Sequence, residues 1–353
     1  MAKFIPQFEP NIRLKDIWAV VKQMRSGWVG STRTTMDFEN ALSKLIDSEA
    51  IVTTSGTVAI IMAIKSLELS KGSTILFPAY TFLAGANAAR FLGYKIKLID
   101  VDYSTLCMNP SRVESALKRF KNISCVMFVS HNAYIGEDVE KVQQMCQQYG
   151  VKMIEDSSQA LGIEKAGITG DIGVFSFSVP KIITTGQGGA VYTRNEDLVT
   201  KLRQIRDHGD NWRSTKNHEY LGVNFKFNDI LAAYGLSQLK DLDKLLEKRK
   251  QIFDWYRNHI ELVDYGYDST WMAIYRSAKS RELIAKLKEN DIQAVQYYKP
   301  IHWNTPYKTK KGMFKTAEKL FYELVYLPSS LTLTKRQVNK IVKIVKEIEN
   351  CSL

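Results

Sequence analysis

The sequence predicts an α/β fold, in which a mostly parallel sheet of seven strands is flanked by helices and followed by a smaller C-terminal α+β domain. Three observations support this prediction. Short apolar runs alternate with amphipathic segments over the first 194 residues. After residue 194 the alternation ends, and charged helical patterns take over. The chain has 353 residues, whereas a single hydrophobic core stops growing at about 250–300 residues.

Each predicted strand is a short apolar run, and the first five are separated by segments with apolar residues at i, i+3 and i+4, the spacing of an amphipathic helix. Such alternation requires right-handed crossovers and a mostly parallel sheet. Ligands of these sheets bind outside the carboxyl ends of the strands, so the residues after each strand are candidates for a site. The predicted strands cover residues 50–54, 73–78, 94–100, 123–130, 151–156, 171–178 and 189–194. The predicted helices between the first five cover residues 57–68, 81–92, 110–120 and 138–150.

The remainder of the chain is predicted to be largely helical. Residues 195–209 form an amphipathic helix, and a continuous helical pattern over about 228–259 predicts one long helix that bridges two domains. We therefore expect a large domain over 1–245, which includes the N-terminal segment, and a small C-terminal domain over 246–353.

The formal net charge is +12, with a sequence pI near 9.3. This charge indicates either a lysine-rich solvated surface or a field that attracts anionic partners such as nucleotides. The sequence has no compact basic tract, zinc-finger spacing or RNP-like signature, so we expect no nucleic-acid partner.

The cysteines Cys107, Cys125, Cys146 and Cys351 form no C-x-x-C pair and have no histidine at ligand spacing. We therefore expect no metal site, and the pattern fits a reducing compartment. The N-terminus lacks the apolar stretch of a signal peptide. No apolar run approaches the roughly 18 residues of a membrane span, so the sequence predicts a cytoplasmic protein.

The first predicted strand is followed by Ser55, Gly56 and Thr57, which open a helix. Free N–H groups and the positive end of the helix dipole make such a start an anion site. An ordinary N-cap is the alternative, because serine and threonine cap many helices.

Two further strand ends carry candidate side chains. Tyr80 and Phe82 follow the second strand, where an aromatic ring serves either as core packing or as a stacking surface. Asp156 ends the fifth strand and Gln159 follows it. A carboxylate in this place is either a helix cap or a site residue.

Lys181 lies between two predicted strands, after Pro180 and before a glycine cluster. Glycines let the chain take positive φ angles or approach a ligand closely. An anion site, an aromatic face, a carboxylate and an amine thus meet at one sheet edge. Pyridoxal 5′-phosphate needs these four groups, for its phosphate, ring, pyridine nitrogen and aldehyde. Nucleotide-binding glycine motifs of the G-x-G-x-x-G or P-loop type are absent.

Most of the chain also resembles the DegT/DnrJ-type aminotransferases, fold-type-I enzymes that use pyridoxal phosphate and act on nucleotide-linked keto sugars. The specific part of the resemblance is the ordered set D-x-x-Q, S-x-x-x-x-K and G-x-G-G, which begins at Asp156, Ser176 and Gly186. Other matching stretches are GWVGST, TTSGTVA, FPAYTFLAGANAARFLGYKIKLIDVD, GVKMIEDSSQALG, LRQIRDHG, GVNFKFNDILAAYGLSQL, YYKPIH and YLPSS.

The resemblance implies a role for each matching residue. Lys181 would be the Schiff-base lysine and proton shuttle, and Asp156 would hold the pyridinium N–H. Gln159 would contact the ring hydroxyl region, and Phe82 would stack on the ring. The residues that would hold the phosphate are Gly56, Thr57, Ser176 and, in the neighbouring subunit's site, Asn224. More loosely, Trp28, Tyr297 and His302 match sugar-side segments.

The resemblance further implies a homodimer with shared active sites. Glutamate would convert the cofactor to pyridoxamine 5′-phosphate, and the amine would then pass to the keto group of a nucleotide-diphosphate deoxysugar. The product would serve surface polysaccharide or related amino-sugar biosynthesis.

The sequence departs from the family pattern in three places. The usual H-x-x-G after the fourth strand is HNAYIGED, which leaves the role of His131 open. The usual G-E-G-G is GQGG, which removes a carboxylate near the lysine. The segment 262–275 is shorter than in the family.

Two other functions stay open from the sequence. One is a pyridoxamine-dependent sugar dehydratase; its known relatives carry histidine at the lysine position, so Lys181 argues against it. The other is a cofactor-bound regulator without enzymatic activity, against which the retained cofactor-contacting residue types argue.

Overall fold

The computed structural model describes residues 4–210, 218, 220–265 and 271–350. Cys351, which contributed to the expectation of no metal site, lies outside the described residues, as does part of the segment 262–275. The α-helices are α1 (Leu14–Arg25), α2 (Arg33–Ile46), α3 (Gly56–Ser66), α4 (Ala84–Phe91), α5 (Pro110–Arg119), α6 (Glu137–Gln148), α7 (Glu196–Arg206), α8 (Asp229–Leu239), α9 (Leu242–Arg257), α10 (Ser280–Glu289), α11 (Lys315–Glu323) and α12 (Lys335–Asn350). The strands are β1 (Glu49–Thr53), β2 (Thr74–Pro78), β3 (Lys95–Ile99), β4 (Ile123–Val129), β5 (Lys152–Asp156), β6 (Ile172–Ser176), β7 (Gly189–Thr193), β8 (Ile274–Arg276) and β9 (Leu324–Tyr326).

The first seven strands form one sheet in the order β1-β7-β6-β5-β4-β2-β3. Strands β2 to β6 run parallel to one another, whereas β7 is antiparallel to both β1 and β6. β2, β6 and β7 are buried along their whole length, as expected when helices cover both faces of a sheet. The predicted fold class is confirmed.

The strand register brings the predicted site residues to one edge of the sheet. Asp156 ends β5 and pairs with Val174 in β6. Ser176 ends β6 and pairs with Gly189, the first residue of β7. Gly189 also pairs with Thr53 at the end of β1. Because β7 is antiparallel to its neighbours, its first residue lies at the carboxyl edge of the parallel strands, next to the N-terminus of α3.

The prediction of a single helix over 228–259 is wrong, because the structure has two helices there, α8 and α9. Asp241 lies between them with φ −113° and ψ 17°, outside the helical region. Its carboxylate accepts a hydrogen bond from Arg13 at 2.5 Å and another from Lys15. These partners come from the N-terminal segment, so the pattern of residues 228–259 alone does not reveal the break.

Helix α9 packs into two different apolar clusters. Its first part contributes Leu242 and Leu245 to a cluster beside the seven-stranded sheet. Its last part contributes Ile252 and Phe253 to a cluster of the C-terminal region, which also contains Ile5. The predicted boundary at 245/246 falls between these two sets, and the division into two domains stays a prediction.

No helix within the described ranges combines the length and the apolar character that a bilayer crossing requires.

Candidate active site

A cleft of about 560 Å³ opens at the carboxyl edge of the sheet. Its walls come from the start of α3, the β2–α4 loop, the segment after β5, the β6–β7 connection and residues 271–304. The structure brings together seven of the predicted site residues as lining of this cleft: Gly56, Thr57, Phe82, Gln159, Ser176, Lys181 and Tyr297.

The start of α3 presents free N–H groups to the cleft. Ser55 is the N-cap, and its Oγ accepts from the N–H of Val58 at 3.1 Å. Gly56 and Thr57 are the first two helical residues, so their N–H groups have no acceptor within the helix. A Cβ atom at Gly56 would lie 2.8 Å from Cβ of Ser176, which shows how closely helix and strand approach. The result is a cradle for an anion at the positive end of the helix.

Lys181 lies in the β6–β7 connection, where its backbone N–H donates to the carbonyl of Ser178 at 3.0 Å. Burial lowers the pKa of its amine from 10.5 to about 8, and the negative charge of Asp156 opposes this shift. The Nζ atom lies 4.4 Å from the ring centroid of Trp271. The amine is therefore far more readily neutral than a surface lysine, and it faces the cleft.

Asp156 lies behind Lys181 at the end of β5. Burial raises the pKa of its carboxyl group, whereas the hydrogen bond from the N–H of Ser158, 3.1 Å long, and the charge of Lys181 oppose the rise. Asp156 itself is not among the residues that line the cleft. The negative charge of this carboxylate acts on the Lys181 amine and favours its charged form.

Gln159 and Phe82 both line the cleft. The Oε1 atom of Gln159 accepts from the N–H of Asn132 at 2.6 Å, and its Nε2 atom lies 3.5 Å from the hydroxyl of Tyr298. Phe82 is 61% exposed, although it lines the cleft. A large ring left uncovered in a cleft offers a face for stacking.

Besides Asp156, three predicted residues do not line the cleft. Trp28 is 67% exposed, and its carbonyl accepts from Gln23. Asn224 is exposed, and its Oδ1 accepts from the N–H of Lys226 at 3.2 Å. The side chain of His302 is fully buried with Nε2 2.9 Å from Oε1 of Glu318, and its place on the sugar side stays a prediction.

His131, whose role the sequence left open, is a buried residue of the core behind the cleft. Its Nε2 atom lies 2.8 Å from the hydroxyl of Tyr326, and its ring stacks on Tyr80 at 5.2 Å between centroids. Burial lowers its pKa to about 3, so the imidazole is neutral at pH 7. His131 therefore packs and orients neighbouring aromatic rings.

Several cleft residues escaped the sequence analysis, among them Ser178, Tyr298 and Trp271. Ser178 could have been found, because it lies two residues after Ser176 and a strand places such pairs on the same face. Trp271 and Tyr298 follow no strand of the large sheet, so the search along strand ends had no means of reaching them.

No cluster of three or more His, Cys, Asp or Glu side chains suited to a metal ion occurs in the part of the chain that the structure describes.

Comparison with known proteins places this site in a family. The DegT/DnrJ/EryC1/StrS aminotransferase family pattern matches residues 10–346. GDP-perosamine synthase of Escherichia coli O157:H7 is 29% identical over 98% of this chain and 98% of its own length. The putative pyridoxal phosphate-dependent aminotransferase EpsN of Bacillus subtilis is 26% identical over 98% of this chain and 96% of its own.

Among solved structures, Helicobacter pylori PseC, an aminotransferase involved in the biosynthesis of pseudoaminic acid, superposes with a TM-score of 0.90. The two sequences are 25% identical, and the match covers 99% of this chain and 100% of PseC. The predicted enzyme class and family are confirmed: this chain belongs to the DegT/DnrJ/EryC1/StrS aminotransferase family.

Proposed function

We propose that the protein transfers an amino group from glutamate to the keto group of a nucleotide-linked deoxysugar. The observation that carries this proposal is the position of Lys181, a readily neutral amine that faces a cleft beside an open helix N-terminus. One relative of matching length is named GDP-perosamine synthase, a name that refers to a nucleotide-linked sugar.

The cofactor of this reaction is pyridoxal 5′-phosphate, as the sequence predicted, and the cleft fits it. Gly56, Thr57 and Ser176 come together at the start of α3, where a Cβ atom at position 56 would lie 2.8 Å from Cβ of Ser176, and the free N–H groups there suit a phosphate. Phe82 offers an uncovered ring face, and Asp156 supplies a carboxylate for the pyridine nitrogen. When bound, the group supplies a carbonyl carbon that bonds to amines and a ring that withdraws electrons.

Lys181 attaches the cofactor and moves protons. An amine with a pKa of about 8 is partly neutral at pH 7, so it can act as a nucleophile and can take up a proton. Above this pKa the free amine dominates, and below it the ammonium dominates. One side chain can therefore hold and release a proton near neutral pH.

Burial raises the pKa of the Asp156 carboxyl group, and two neighbouring groups oppose this rise. The N–H of Ser158 donates to its carboxylate, and the positive charge of Lys181 also favours the ionised form. A protonated ring nitrogen in the cleft would add a second positive partner. Gln159 is held by Asn132 with its amide toward the cleft and would contact the ring hydroxyl.

The anionic substrate is expected to meet positive charge. Lys299 lines the cleft and is exposed, and the whole chain carries a net charge of +12. A nucleotide-diphosphate sugar or the carboxylates of glutamate fit this field. The product would enter surface polysaccharide or related amino-sugar biosynthesis.

A homodimer with shared active sites is part of the proposal, and the exposed face of α1 supports it. Leu14, Ile17, Trp18 and Met24 are between 49% and 76% exposed and follow helical spacing. A contiguous apolar face of this kind indicates a protein interface. Asn224 is exposed away from the chain's own cleft, as a residue that serves a neighbouring site would be.

Mixing variants tests the shared sites. Lys181→Ala and Asn224→Ala each impair every site of their own homodimer, whereas a mixed dimer has one intact site. Co-expression should restore about a quarter of wild-type activity. A monomer in light scattering, or no recovery in the mixed sample, would contradict the proposal.

We place the protein in the cytoplasm, where nucleotide sugars are made. Cys107, Cys125 and Cys146 are free and buried, which suits a reducing compartment.

The decisive experiment is an assay with glutamate and a panel of GDP-, UDP- and dTDP-linked keto sugars, analysed by mass spectrometry. Amination of a sugar that is lost in Lys181→Ala but kept in Lys346→Ala, an exposed lysine on α12, would support the proposal. Deoxygenation would instead identify a dehydratase. Cofactor binding without turnover of any sugar would point to a regulator.

A further inference from the structure

We infer that Trp271 is the positioning residue for Lys181: its indole face holds the ammonium group of Lys181 whenever that amine is not attached to the cofactor, and Arg249 fixes the indole in place. The inference deepens the proposed function and rests on it in one respect, the use of Lys181 as the attachment point.

The geometry is that of a cation–π pair. Nζ of Lys181 lies 4.4 Å from the ring centroid of Trp271, well within the roughly 6 Å over which a cation is attracted to an aromatic face. Trp271 is 5% exposed, so the ring is largely removed from water, and Lys181 is half-buried. Desolvated pairs of this kind are the stronger ones. The indole face therefore stabilises the charged form of the amine, against the effect of burial.

The indole of Trp271 is hydrogen-bonded to the backbone segment that carries Lys181. Its Nε1–H donates to the carbonyl of Pro180 at 2.8 Å, and Pro180 directly precedes Lys181. A tryptophan N–H that is removed from water needs such an acceptor. The bond ties the orientation of the ring to the backbone that carries the lysine, so ring and amine keep their relation.

The backbone of Trp271 is held from the other side by Arg249. The guanidinium of Arg249 donates to the Trp271 carbonyl, and this is the hydrogen bond it makes within the described residues. Arg249 is 1% exposed, and its Nε and Nη2 atoms have no partner in the described part of the chain. A buried cation without a carboxylate is destabilising, so its presence on α9 behind Trp271 favours a role in placing that residue.

Met272, the residue after Trp271, is also held by hydrogen bonds. The N–H of Met272 donates to Oδ1 of Asn132 at 2.8 Å, and Nδ2 of Asn132 donates to the Met272 carbonyl at 3.1 Å. The N–H of Asn132 in turn donates to Gln159 in the cleft wall. Residues 271–272 are thus fixed between α9, the β6–β7 connection and the segment after β4.

Three charged groups complete the surroundings of Lys181. Asp156 at the end of β5 is the group whose charge acts on it, and Arg249 lies behind Trp271. Lys299 is the other cation that lines the cleft among the described residues. The charge of Asp156 favours the ammonium and burial disfavours it, so loss of the indole face would leave the neutral amine more favoured.

The test uses the full chain stripped of cofactor and measures how fast Lys181 is acetylated between pH 6 and 10. Mass spectrometry of the peptide that contains Lys181 reads this lysine separately from the others. Trp271→Leu keeps an apolar side chain but removes the ring face. At pH 7 we expect acetylation of Lys181 to be roughly threefold to tenfold faster than in the wild type, because more of the amine is neutral.

Three companion variants make the result specific. Trp271→Phe keeps a ring without the N–H and should fall between wild type and Trp271→Leu. Arg249→Met should shift the profile in the same direction as Trp271→Leu, and Arg249→Lys should restore part of it. Trp255→Leu is the matched control, because Lys248 lies 4.7 Å above that ring, outside the cleft.

An unchanged or slower Lys181 profile in Trp271→Leu, with Trp271→Phe alike, would overturn the inference. The measurement needs neither glutamate nor a sugar, so a wrong substrate assignment leaves it intact. Borohydride trapping of pyridoxal phosphate on Lys181 checks the proposed function separately. If trapping fails in the wild type, the cofactor assignment is contradicted, whatever the acetylation profile shows.

Discussion

The two walls of the cleft hold their side chains by different means. The sheet-edge wall consists of residues at strand ends and the helix start, with Asp156 behind them: Gly56, Thr57, Asp156, Ser176 and Lys181. The C-terminal wall consists of residues beyond the large sheet: Trp271, Tyr297, Tyr298, Lys299 and Asn304. Strand pairing fixes Asp156 and Ser176, which each belong to a ladder of β5 to β7, and the first turn of α3 fixes Gly56 and Thr57. Side-chain bonds and packing of irregular segments fix the C-terminal wall.

This difference indicates that the two walls have different roles. Groups that must meet a cofactor with small tolerance sit on the hydrogen-bonded scaffold, whereas groups that select a substrate sit on loops that can vary. Variants of the sheet-edge wall should therefore change turnover or cofactor affinity, and variants of the C-terminal wall, apart from those of Trp271, should mainly change KM. Single substitutions in each wall separate these two roles.

Lys181→Ala should lower turnover by roughly a thousandfold or more, because it removes both the attachment point and the proton carrier. The visible absorbance of the cofactor-loaded protein should change as well, since no covalent link can form. Circular dichroism should match the wild type. Retention of more than a tenth of the turnover would break the assignment of Lys181 to the chemistry.

Asp156→Ala should keep the fold and lower turnover by roughly 10²–10⁴-fold, because the ring nitrogen loses the carboxylate that keeps it protonated. Steady-state kinetics with a saturating substrate measures the loss. Asp197→Ala, an exposed carboxylate in the first turn of α7, is the control and should stay near wild type. Equal activity of the two variants would contradict the role of Asp156.

Gly56→Ala should weaken cofactor binding roughly tenfold to a hundredfold, because its Cβ would lie 2.8 Å from Cβ of Ser176 and force these two residues of the anion cradle apart. A fluorescence titration of the stripped protein with pyridoxal phosphate measures the Kd. Gly30→Ala is the matched control, since its Cβ would meet no atom within 4 Å. Unchanged affinity at position 56 would show that the phosphate binds elsewhere.

Lys299→Ala should raise KM for an anionic substrate roughly twofold to fivefold with kcat nearly kept, because an exposed charge contributes little binding energy. Comparison of KM for glutamate with KM for the nucleotide sugar shows which substrate uses this lysine. Lys308→Ala, exposed and outside the cleft, is the control. A loss confined to kcat would remove the distinction between the two walls.

The sheet-edge wall was predictable from the sequence because each of its members is next to a strand in the chain. Parallel strands deliver their carboxyl ends to one edge, so local patterns were enough to bring Gly56, Asp156 and Lys181 together. Ser178 was missed although strand periodicity marks it. The prediction of one helix over 228–259 failed because Arg13 and Lys15, distant in sequence, stabilise the break at Asp241.

By itself the sequence determined the α/β class, the family, and which strand each candidate site residue follows. Periodicity and short motifs are local properties of the chain, so they can be recognised without the structure. Only the tertiary structure decided which residues face Lys181 from the far side of the cleft. Trp271 comes 90 residues after Lys181, and its position depends on Arg249, Pro180 and Asn132. Contacts between such distant segments are set by the packing of the whole fold, which no local pattern encodes.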